Sequence, residues 1–138
     1  MYEDKPLFKE CVEALDANVL TLDADKSMQE LFEALYPITK WGKIDWEKID
    51  QKIEVGYDPN DIIPALEHLV PVSLDPSVYI LWSCGTTPII RTNINKIVEC
   101  YDDVTCVSFE KFLFNARQGY IIEILPCGKI TAGVVQHK

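Results

Sequence analysis

Val78-Tyr79-Ile80-Leu81-Trp82 is the stretch on which the fold class turns. It is continuously apolar and rich in β-branched and aromatic residues, as a strand covered on both faces would be. Downstream, Ser83-Cys84-Gly85-Thr86-Thr87-Pro88 reads as a loop at its carboxyl end, and Ile89-Ile90-Arg91 as a short extended piece. Thr92 then caps a helix carrying Ile94, Ile97, Val98 and Tyr101, which Asp102-Asp103 end. Val104-Thr105-Cys106-Val107 reads as the next strand, so residues 78–107 predict a right-handed βαβ crossover. After a turn at Ser108-Phe109-Glu110-Lys111, Phe112-Leu113-Phe114 is extended. Tyr120–Leu125 and Ile130–Val135 flank Pro126-Cys127-Gly128-Lys129 as an antiparallel hairpin.

Upstream, Asp58-Pro59-Asn60-Asp61 is a helix-start signal: a cap, a proline, then acids suited to the positive end of the helix dipole. The helix runs through Ile62, Ile63, Ala65, Leu66 and Leu69, with Pro64 in its first turn, and Pro71 and Pro76 bracket a loop. Over residues 41–58, Trp41, Ile44, Trp46 and Ile49 alternate with charged residues; Trp46–Ile49 fits a single turn and Ile53-Glu54-Val55 a strand ending at Gly56. A helix carries Leu31, Phe32 and Leu35, capped by Asp25 or Ser27 and stopped at Pro37. Asn18–Leu22 reads as a short strand, and Leu7, Phe8, Cys11, Val12 and Leu15 mark an amphipathic first helix behind Pro6. The expected fold is α/β (a mixed α+β sandwich): one domain over 1–138, a mixed sheet with helices packed on it, and an antiparallel C-terminal hairpin.

Composition narrows the function. The 138 residues are 48% hydrophobic and 25% charged, which excludes a disordered chain. Thirteen Lys+Arg against 22 Asp+Glu give −9, the wrong balance for displacing counterions from phosphate, so direct nucleic-acid binding is not expected. Residues 1–60 hold 14 of the acids and 7 of the bases, a lopsided field that suits a basic partner. The five cysteines, Cys11, Cys84, Cys100, Cys106 and Cys127, are odd in number and widely spaced. They suit reduced thiols in a cytoplasmic protein, as does an N-terminus without a signal-peptide pattern. No apolar run reaches the roughly 18 residues of a membrane span.

Motifs for chemistry are sparse. Glycines 42, 56, 85, 119, 128 and 133 form neither a dinucleotide fingerprint nor a phosphate loop. There is no Cys-x-x-Cys and no histidine pair at ligand spacing, so no metal or cofactor is expected. Cys84, between a buried strand and Gly85, is the one enzyme-like residue, with His68 the one plausible base; a small thiol-dependent enzyme is the rival reading, and a non-catalytic adaptor a third. What stands out is aromatics beside acids: Trp41, Trp46, Tyr57 and Trp82 near Asp45, Glu47, Asp50, Glu54 and Asp58, and Tyr101 before Asp102-Asp103. Aromatics anchor interfaces and carboxylates steer and pair with a partner's lysines and arginines. The expected partner-binding residues are Asp45, Trp46, Glu47, Asp50, Glu54 and Asp58 as one patch and Asp102 and Asp103 as a second, with no catalytic residue.

Several segments carry a resemblance: Leu7-Phe8-Lys9-Glu10-Cys11-Val12-Glu13-Ala14-Leu15, Ile44-Asp45-Trp46-Glu47-Lys48-Ile49, Val78–Trp82, Pro88-Ile89-Ile90-Arg91-Thr92-Asn93, Asp103-Val104-Thr105 and Phe112-Leu113-Phe114-Asn115. Their order resembles that of immunity proteins of bacterial contact-dependent growth inhibition systems. The resemblance implies binding and neutralising a cognate toxin domain, often a nuclease, in the cytoplasm of the producing cell. It transfers no set of contact residues. The expected partner is therefore a basic toxin C-terminal domain, bound by a monomer or weak dimer through an acidic surface with aromatic anchors.

Overall fold

A computed structural model describes residues 6–40, 43–82, 87–105, 107 and 111–135. The expected sites at Trp41, Cys84 and its neighbours Ser83 and Gly85, Cys106, Ser108–Glu110 and His137 lie outside the described residues.

Helix α1 spans Pro6–Leu15, strand β1 Asn18–Val19 and helix α2 Leu22–Leu35. A 3₁₀ turn at Trp46–Lys48 leads into β2, Gln51–Gly56. A second turn at Pro59–Asp61 runs into α3, Ile62–Leu69, with Pro64 in its first turn. Then come β3 (Ser77–Trp82), β4 (Ile90–Asn93), α4 (Ile94–Glu99) and α5 (Tyr101–Thr105). The chain continues with β5 (Lys111–Asn115), β6 (Tyr120–Ile124) and β7 (Ile130–Val134). Among the described residues the strands form one sheet in the order β1-β4-β3-β5-β6-β7-β2, and each pairing is antiparallel. The α+β class and the C-terminal hairpin stand as expected.

Val78–Trp82 is central in the sheet, with one face fully buried and the other partly covered, short of the two-sided burial expected. Val78, Ile80 and Trp82 face a core built with Phe8, Cys11 and Leu15 of α1, Ile62 and Leu66 of α3, Ile94 and Ile97 of α4 and Val104 of α5. Tyr79 and Leu81 face the other side, where Phe32 and Tyr36 of α2, with Ile44 and Ile49, cover Phe112, Phe114 and Ile121. The molecule is thus layered: four helices, the sheet, then α2 with the segment after it. Helix α2 crosses its face diagonally. Its first-turn Asp25 accepts from the Ile89 amide at 2.6 Å, just before β4, and Tyr36 at its far end donates to the Tyr120 carbonyl at 2.7 Å, where β6 begins.

Four local expectations are corrected. Val104 and Thr105, expected in a strand, are helical: α4 closes at Cys100, α5 starts at Tyr101, and Val104 is buried in the core it shares with α1. Burial of one valine outweighs the β-propensity of a four-residue run. With that strand gone there is no βαβ crossover; the neighbours of β3 are β4 and β5, both antiparallel to it. Asp102 and Asp103 accordingly open α5 rather than end α4. The caps also shift: Thr21 accepts from the Ala24 amide to cap α2, which shortens the Asn18–Leu22 strand to two residues, and Asn93 rather than Thr92 caps α4. Asp25 is occupied instead with Ile89, and the Thr92 hydroxyl donates to the Leu15 carbonyl.

Candidate functional site

The first expected patch is built on the edge strand β2 and the segment leading to it. Ile38 and Ile44 form an antiparallel bridge, and the Asp45 amide donates to the Pro37 carbonyl at 2.8 Å. This seats Trp46 on the sheet. Its indole Nε1 donates to Glu123 Oε1 at 3.0 Å, and its ring lies over Gly133, where an added Cβ would come within 2.8 Å of Cζ3. Glu123 is a buried carboxyl on β6, 5% exposed, so the indole meets a polar group that the sheet would otherwise bury without that donor. Trp46 therefore holds the 45–50 segment in place.

The acids of this patch are interleaved with lysines. Lys48 Nζ lies 3.7 Å from Asp45 Oδ2, Lys129 Nζ lies 3.3 Å from Glu54 Oε1, and Lys52 Nζ donates to the Trp46 carbonyl at 2.6 Å. Asp58 accepts from the Asn60 amide at 2.9 Å, while Glu47 and Asp50 are exposed. A cation within about 4 Å of a carboxylate cancels most of its field beyond a Debye length of about 8 Å. The patch is consequently weaker in net field than its acid count implies. The aromatic that does reach solvent is Tyr57, 67% exposed, set beyond Gly56 at the end of β2 and beside Gly128 of the β6–β7 turn. Its position in the sequence, directly after a strand-ending glycine and before Asp58, was the available signal.

The second patch gains from the fold. Helix α1 packs against α5, and Cys100 at the α4–α5 junction donates to the Ala14 carbonyl of α1 at 3.7 Å. Asp102, Asp103 and Glu99 thereby share a layer with Glu10, Glu13 and Asp16, against Lys9 and Lys96. Among the described residues none of those six carboxylates has an ion pair. Buried Lys111 reaches up from β5 beneath the layer, its Nζ 3.4 Å from the Thr105 carbonyl at the end of α5.

Among the described residues no group of three or more His, Cys, Asp or Glu is placed to hold a metal ion. His68 is exposed in the last turn of α3, on a groove of about 710 Å³ shared with Asp50, Lys52 and Gln118. No described helix is long and apolar enough to cross a membrane. A paired acidic surface without a described metal centre is the setting for the comparison with known proteins, in which the family model for CdiI immunity protein EcoliA0-like matches residues 5–133. The chain belongs to this CdiI immunity protein family. Comparison with curated proteins gives no match. The CdiI family match covers both patches and every described secondary-structure element except the last residue of β7, so its immunity function attaches to the fold as a whole.

Proposed function

We propose that this CdiI-family chain neutralises a basic toxin domain, a nuclease, by binding it in the cytoplasm as a monomer or weak dimer, and makes or breaks no covalent bond itself. The observation that supports this reading is the set of six carboxylates on or beside α1, α4 and α5 that make no ion pair among the described residues, although Lys9 and Lys96 share their layer. Such a surface raises the encounter rate with a basic domain and turns it toward the docking face. Affinity then requires a packed interface of standard size with a few anchors. Asp102 and Asp103, with Glu10 and Glu13, form the steering surface. Asp45, Glu47, Asp50, Glu54 and Asp58 form a second contact with Tyr57 as its aromatic anchor, and Trp46 supports that segment from beneath.

The test is association kinetics with the toxin domain encoded beside this protein, comparing wild type with Asp102→Lys/Asp103→Lys. The double reversal changes four charge units. At about 10 Å each unit is worth about 0.4 kcal/mol against one facing cation in water, so roughly 1.6 kcal/mol and about a tenfold slower association at low salt. The difference should shrink as salt is added. Equal association rates at low salt would remove these aspartates from the interface, and failure of the wild-type chain to protect cells expressing the toxin would end the proposal.

A further inference from the structure

The diagonal path of α2 leaves one corner of its sheet face open, at the lower ends of β3 and β4. Arg91 of β4 lies there. Its neighbours Ile90 and Ile94 belong to the helix-side core, so Arg91 points to the opposite face, where it pairs across the strands with Tyr79 on one side and Asn18 on the other. Arg117, from the turn after β5, closes the corner from below. The chain contains two arginines, and both line this one pocket of about 270 Å³, with Met28, Ser77, Tyr79 and Asn115 completing its wall.

The two are held differently. Arg117 Nη1 donates to Asp75 Oδ2 at 3.0 Å, and Asp75 is fixed in turn: its Oδ1 accepts from the Ser77 amide and its carbonyl accepts from Tyr120 Oη at 2.6 Å. The Arg91 side chain is exposed and makes no hydrogen bond or ion pair with any described residue. The corner is therefore a rigid, half-neutralised wall carrying one open guanidinium.

We infer that this pocket receives a carboxylate side chain of the bound toxin domain, clamped by Arg91. This rests on the toxin-binding reading above and adds a contact of the opposite sign. A guanidinium fork matches a carboxylate in two parallel hydrogen bonds. The volume is below the roughly 300–1,000 Å³ of sites that enclose small molecules, and it suits a single side chain. The contact has a purpose on a chain of charge −9: a basic partner is attracted to many carboxylates without a unique register, and one cationic socket fixes where it stops.

The experiment measures binding of the neighbouring toxin domain to wild type, Arg91→Gln, Arg91→Lys and Arg91→Glu. Dissociation should speed up about tenfold for Arg91→Gln, less for Arg91→Lys and more for Arg91→Glu, with association nearly unchanged. One Asp→Lys or Glu→Lys variant of the toxin should restore binding to Arg91→Glu. If Arg91→Gln and Arg91→Glu dissociate within twofold of wild type, the socket is wrong and toxin binding stands; if wild type shows no binding, both fall. Inorganic phosphate that saturates the Arg91 side-chain resonances and competes with the toxin would make this a small-anion site and overturn the assignment.

Discussion

Replacing Trp46 by Phe separates a structural tryptophan from an interface anchor. The substitution keeps an aromatic ring at position 46 but removes the donor that meets Glu123 Oε1 at 3.0 Å, together with the Cζ3 edge of the indole that lies over Gly133. Glu123 is 5% exposed, so the vacated oxygen has little access to water. Losing one partner of such a bond costs about 2 kcal/mol. For 138 residues the unfolding entropy is about 0.29 kcal/mol per kelvin, so the melting temperature should fall by about 7 °C. Thermal and urea unfolding of Trp46→Phe, Glu123→Leu and the double variant complete a cycle. Replacing both partners of this hydrogen bond by apolar groups removes donor and acceptor together, so a coupling energy of about 1–2 kcal/mol is expected. Toxin association and dissociation by Trp46→Phe should match wild type while the fold is intact. A coupling below about 0.5 kcal/mol would refute the hydrogen-bond account, and faster dissociation without loss of stability would make Trp46 an anchor after all.

Three further outcomes follow from the same packing. Gly133→Ala puts a methyl 2.8 Å from Trp46 Cζ3 and 3.2 Å from the Gln51 carbonyl, so chemical denaturation should show a loss of about 1–3 kcal/mol. Burial raises the pKa of Tyr101 from 10.0 to about 12, and of Tyr36 and Tyr120 above their ordinary value too, so these phenols favour the folded state below pH 10. That contribution is lost as pH rises from 10 through the folded values, and alkaline unfolding should be steep; Tyr101 Oη has no described partner, so Tyr101→Phe should unfold at higher pH with neutral stability unchanged or improved. Partial burial works against ionising Asp75, but the Asn115 side chain, the Ser77 amide and Arg117 outweigh it and hold the carboxyl below 3.8. Its stabilising effect is present above that value and fades as pH falls through the lower folded one, so an acid titration of unfolding should be flatter for Asp75→Asn.

The sequence was legible where a pattern ran long enough to be tested against itself. The apolar run at Val78–Trp82, the two arms flanking the Pro126–Lys129 turn of the β6–β7 hairpin and the 3–4 spacing of α1 each extend over several residues, and each appears where expected. Val104–Val107 offered four residues, too few to distinguish a strand from one buried helical turn, and tertiary packing chose. Caps failed for a related reason: Thr21, Asp25 and Ser27 are all competent, and Asp25 is taken by Gln29 and by the Ile89 amide arriving from 64 residues away. Charge was the least legible property. Glu54 lies among acids in sequence, yet Lys129 from the far hairpin neutralises it; Asp102 and Asp103 look like an isolated pair, yet α1 brings Glu10 and Glu13 into the same layer. A field depends on distances between elements, which no local pattern contains. The same holds for Arg91 and Arg117, unremarkable and 26 positions apart in the chain, which the fold sets in one corner. If toxin is bound as proposed above, its specificity resides in such assembled corners rather than in a motif, and a change in one element that leaves the fold intact should redirect the partner accepted.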